Sequence, residues 1–122
     1  MMESLFMKLR KSLLFGALFL QGMLQAHAIS DAKLEVIREL GRLNGIALQC
    51  GYLEQTQRMK RALVLRLPKL RQLGELFDVT ANKSFMELIE RGESCPSAGT
   101  LADQVGSAID SLEREYPSSE SR

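Results

Sequence analysis

The chain has no tryptophan, a single histidine and only two cysteines in 122 residues, and each shortage removes a class of chemistry. The histidine, His27, lies inside an N-terminal segment whose removal is argued below, so no imidazole remains to serve as a base near neutral pH. A nucleophilic cysteine would want such a base. Two thiolates without a histidine make at best half of a zinc site. Cys50 and Cys95 are 45 residues apart, which excludes a CxxC redox motif. No phosphate-binding glycine loop, dinucleotide fingerprint, HExxH, calcium-binding loop or GxSxG elbow occurs. Acid pairs exist at Glu87/Glu90 and Asp110/Glu113, but Arg91 and Arg114 stand beside them as ordinary helix-surface partners. These absences argue against an enzyme and lead us to expect neither cofactor nor metal.

Long apolar runs are also scarce. The only one is "LLFGALFLQGML", Leu13 to Leu24, preceded by Lys8, Arg10 and Lys11 and followed by Ala26-His27-Ala28. A membrane span needs roughly 20 apolar residues, and this run is shorter and carries glycines and a glutamine. Basic start, apolar middle and small-x-small close have the form of a secretory signal peptide, residues 1–28, cut after Ala28. No cysteine follows the cut, so lipid attachment is not indicated, and no stable membrane insertion is expected after cleavage. Removing 28 of the 122 residues leaves 94, one domain near the lower limit of self-sufficient size. The expected organisation is a single helical domain over 29–117 with a flexible tail at 118–122. The expected location is periplasmic or secreted.

In that setting two cysteines usually oxidise, so a structural Cys50–Cys95 disulfide is expected. Gly51 suggests a turn beside it, and Pro96 a departure from helix.

What the processed chain has in quantity is helical periodicity. Ser30–Cys50 places Leu34, Ile37, Leu40, Leu43, Ala47 and Leu48 on one stripe, with Ser30 or Asp31 as cap. Gly41 and Gly45 form a small-xxx-small pair that marks a close helix crossing. A second segment, from Glu54 to Phe77, carries Met59, Ala62, Leu63, Leu67, Leu70, Leu73 and Phe77, but Pro68 must kink or break it. A separate short helix is expected from Lys69. "NKSFMELIERG" reads as a further helix, capped by Asn82 or by Ser84 with Glu87, burying Phe85, Leu88 and Ile89 and ending at Gly92. The last helix runs from Thr100, with Asp103 completing a capping pair, to Tyr116 before Pro117. No strand has a partner. The fold class is all-α, a small bundle of four or five helices with one disulfide.

Charge is segregated. Residues 58–71 hold Arg58, Lys60, Arg61, Arg66, Lys69 and Arg71 and no acid, whereas residues 72–122 hold ten acids and four bases. The plain interpretation is a basic helix meeting acidic helices within the fold. The functional interpretation is a partner-binding face of Arg58, Arg61, Arg66, Lys69 and Arg71 with Tyr52 as an apolar anchor. Nucleic acid is a poor partner: the domain is not basic overall, no aromatic is interleaved with the run, and export removes it from most nucleic acid. In size, signal and cysteine usage the chain resembles small disulfide-linked helical proteins of the bacterial envelope, which include immunity proteins, secretion accessory proteins and acid-stress chaperones. The expected function is an exported protein-binding module (an inhibitor, immunity or envelope assembly protein) whose partner is another envelope or secreted protein. The alternative is a periplasmic stress holdase. A homodimer fits either, since a second copy can complete a small core.

Overall fold

The computed structural model describes residues 29–118; the expected signal peptide, and the tail beyond Ser118, lie outside them. Four helices follow one another: α1 (Asp31–Gln49), α2 (Leu53–Arg66), α3 (Arg71–Arg91) and α4 (Ala98–Glu115). There is no strand among the described residues. The protein is a small all-α bundle.

Local chemistry sets most helix ends. Ser30 caps α1, its Oγ accepting the Lys33 N–H at 3.3 Å. The chain reverses over Cys50, Gly51 and Tyr52, with Gly51 at φ 75°, a conformation L side chains avoid. Pro68 breaks the second segment: Leu67 before it takes the extended backbone that a following proline imposes, and α2 stops at Arg66. Gly92 closes α3 at φ 60°, where its N–H bonds to the Ile89 carbonyl and that of Glu93 to Leu88, a Schellman pair. Ser97 caps α4 by accepting the Thr100 N–H at 3.2 Å, so this helix starts two residues before the expected Thr100 and Asp103 forms no cap.

The larger correction concerns α3. The separate helices expected from Lys69 and from Asn82 are one helix of 21 residues, so the bundle has four members among the described residues. Leu73, Phe77, Ala81, Ser84 and Leu88 form one buried stripe at spacings of three and four, and its burial against α1 overrides the local preference of Asn82 and Ser84 for a helix start. Ser84 caps nothing. It lies buried in mid-helix, and its hydroxyl donates to the Arg42 carbonyl at 2.7 Å. Leu88 is buried as expected, Phe85 is half-buried, and Ile89 faces solvent at 49% exposure.

Helix α1 is the hub. It packs on each of the other three, α2 and α4 pack on each other, and α3 packs on α1 alone. The α1–α3 crossing is a close one, and the glycine pair permits it. A Cβ on Gly41 would sit 2.8 Å from Thr80 Cβ and 2.9 Å from the Phe77 carbonyl oxygen; one on Gly45 would meet the Ala81 carbonyl oxygen and the Phe85 nitrogen. Ile37, Leu40, Leu43 and Ala47 of α1 share one core with Met59 and Leu63 of α2, Leu73 and Phe77 of α3, and Leu101, Val105 and Leu112 of α4. Two long-range ties close the fold. The Cys50–Cys95 disulfide is formed, with Cα atoms 5.8 Å apart. Tyr116, at the end of α4, donates its hydroxyl to the Lys33 carbonyl at 3.0 Å while the Lys33 ammonium lies 5.1 Å from its ring centre. Burial, helped by the charge of Glu115, pushes the Tyr116 phenol above its ordinary pKa and so keeps the proton it donates.

Two buried polar groups, the Asn44 Oδ1 and the Thr56 hydroxyl, find no hydrogen-bond partner among the described residues. Thr56→Val keeps the shape and removes the unpaired group, so it is expected to stabilise the chain by about 1 kcal/mol, read as a higher urea midpoint with an unchanged slope.

Candidate functional site

Because α2 and α3 both lean on α1 without packing on each other, the elbow that joins them at Pro68 leaves an open groove. Its volume is about 410 Å³. The lining is Leu63, Val64 and Leu67 from the end of α2, Pro68 and Leu70 from the elbow, and Leu73, Gly74 and Phe77 from the start of α3. Leu63, Leu73 and Phe77 are core residues whose outer edges form the floor, whereas Val64 stands 81% exposed on the lip. Three charged residues border it: Lys60, Lys69 and Asp78. A second hollow, lined by Ile29, Ser30, Lys33 and Tyr116, shares Pro68, Leu70 and Leu73 with the first, so apolar surface continues around the elbow toward the start of the domain.

The basic residues singled out in the sequence do not share one face. Arg58 folds back onto α4, its guanidinium 3.2 Å from the Ala102 carbonyl and against Gly106, where a Cβ would crowd it. Arg66 reaches Glu113 of α4 at 3.7 Å. Arg71 pairs with Glu75 one turn along α3 at 3.4 Å. The basic run thus meets α4 through two arginines. Arg61 and Lys69 are exposed and join no ion pair among the described residues, and the same holds for Lys60.

Tyr52 sits at the other end of α2 from Lys69, about 20 Å away along a helix of 14 residues. It is half-buried, and its hydroxyl donates to the Pro96 carbonyl at 2.8 Å, next to the disulfide. That bond holds the linker before α4 against the turn after α1. Lys69 is therefore the one residue of the expected face that lines the groove. The other lining residues, Lys60, Val64 and Leu70 among them, were not assigned to a site by sequence reasoning. No local pattern in the sequence marks them as a group.

The acid pairs noted in the sequence stand on helix surfaces. Glu87 pairs with Lys83 at 3.9 Å, while Glu90 and Asp110 are exposed. Among the described residues no group of three or more histidine, cysteine or acidic side chains could hold a metal ion, and no helix is long and apolar enough to cross a membrane. Comparison with known protein families, with curated proteins and with solved structures gives no match for this chain.

Proposed function

We propose that this chain is an exported, non-enzymatic protein-binding module, an inhibitor, immunity or envelope assembly protein acting in the periplasm or outside the cell. The observation that carries the reading is the elbow groove: an open apolar-lined hollow between two helices, bordered by unpaired lysines. Its solvent-exposed aliphatic side chains, Val64 and Leu70, are of the kind a partner's surface covers, and the charges at the edge steer the encounter. The disulfide and the α1–α3 crossing hold the supporting frame, so the groove stays open without a partner inside it.

The test is affinity capture from envelope extracts by wild type and by an Arg61→Glu/Lys69→Glu variant, at neutral and acidic pH, with captured proteins identified by mass. One dominant partner at neutral pH is expected, with weaker capture and a smaller salt dependence for the variant. Both side chains are exposed and unpaired, so the variant's melting temperature should equal that of wild type. Equal capture by both proteins would overturn the assignment of the surface. Capture of many unfolded chains, seen only in acid, would make the protein a holdase.

A further inference from the structure

Half of the basic run is used inside the fold, and the half that is left over is not random in position. Arg58, Arg66 and Arg71 have partners within the chain; of the three that do not, Lys60 and Lys69 border the groove from α2 and from the elbow. Asp78, farther along α3, is the single acid in the lining. The same end of the groove receives the start of α3, a 21-residue helix with Leu70 at its cap position, no capping side chain and no acid in its first turn. The positive end of that helix dipole adds to the lysines. The two lysines and the helix end favour a negatively charged occupant at the elbow end of the groove, away from Asp78.

The walls also restrict its shape. Both are helices whose backbone hydrogen bonds run along their own axes, and no strand exists among the described residues, so there is no sheet edge on which a partner strand could add. Gly74 lies in the α3 wall, inside a helix, where glycine is disfavoured. Neither a positive φ nor a packed neighbour accounts for it: a Cβ built there meets nothing within 4 Å. In the groove the missing side chain lets another chain come close to the helix backbone.

Taking the groove as the docking surface proposed above, we propose that its occupant is an acidic amphipathic helix of the partner protein. Its apolar side chains, spaced i, i+3 or i+4, and i+7, lie on Val64, Leu67 and Leu70, above the buried Leu63, Leu73 and Phe77, and its flanking carboxylates face Lys60 and Lys69. The chain's own N-terminal segment has the opposite charge, with Lys8, Arg10 and Lys11 against Glu3, and does not complement these lysines.

The probes are two synthetic helical peptides with leucines at that spacing, one with glutamates on both flanks and a twin with lysines in their place. They are titrated into the oxidised, processed chain at low salt and followed by amide shifts. The glutamate peptide is expected to bind at least about tenfold more tightly than its twin, with shifts centred on residues 60–78. Lys60→Glu/Lys69→Glu should reverse the order of the two peptides. Gly74→Trp, which fills the mouth from a site with free space, should abolish binding of both while leaving the melting temperature no lower than wild type. Equal affinity for the two peptides, binding of neither, shifts elsewhere, or binding untouched by Gly74→Trp would overturn the inference. So would sedimentation showing that a second copy already covers the groove. Any of these failures leaves the proposed function intact if capture from envelope extracts still depends on Arg61 and Lys69.

Discussion

Gly45→Ala is expected to be among the most damaging single-methyl additions this fold can receive. The new Cβ would press on the Ala81 carbonyl oxygen and lie 2.7 Å from both the Phe85 nitrogen and the Ser84 Cβ. Two of those three atoms are backbone, so no side chain can rotate away, and α1 and α3 must separate. Separation would also stretch the Ser84 to Arg42 hydrogen bond, which spans the same crossing. Alanine is the better helix former, which returns roughly 0.5–1 kcal/mol. Overpacking against backbone should outweigh that, with a net loss of about 2–3 kcal/mol. For a domain of this size the melting temperature should then fall by about 10 °C or more. Gly74→Ala is the matched control. It makes the same chemical change in a helix with nothing nearby, and it should raise stability by about 0.5–1 kcal/mol. Thermal circular dichroism on the two variants checks both signs. If Gly45→Ala melts at or above the wild-type temperature, the close crossing is not what glycine is for at that position.

Breaking the Cys50–Cys95 bridge should be comparably costly. The bridge closes a loop with a sequence separation of 45, and the chain-entropy account gives about 4 kcal/mol for a loop of this length. That is a large share of the total stability of a small domain. The loss should be visible as a lower urea midpoint for Cys50→Ser/Cys95→Ser, and the same shift should follow treatment of wild type with a reductant. Because α3 packs only on α1, the residues of the 92–97 linker depend on few other ties. The hydrogen bond from Tyr52 to the Pro96 carbonyl is one of them. In the double cysteine variant, Tyr52→Phe should therefore destabilise further, by about 1 kcal/mol. Amide exchange should report the opening first at the end of α1, the start of α2 and the linker. A double variant as stable as wild type would show that the bridge merely decorates a frame already fixed by packing.

The sequence determined those features that local chemistry or chain bookkeeping controls. Ser30 and Gly92 act at helix ends through their own side chain or lack of one, and Pro68 interrupts a helix wherever it is placed. With no third cysteine to compete, Cys50 and Cys95 had only each other as an intramolecular partner. The Gly41/Gly45 spacing announced a close crossing, though not with which helix. Tertiary structure decided what depends on relative position. Whether Asn82 and Ser84 start a helix or sit inside one is a contest between their local hydrogen bonds and a buried stripe that runs past them, and only packing on α1 settles it. The same holds for charge. The six basic residues of 58–71 look alike on paper, yet Arg58 and Arg66 reach partners on α4, Arg71 pairs within its own helix and three find none, because a long side chain's distant partner is set by which helix lies opposite. The groove belongs wholly to this second kind. It exists because α2 and α3 each pack on α1 and not on one another, and an empty space between two elements leaves no mark in either element's sequence.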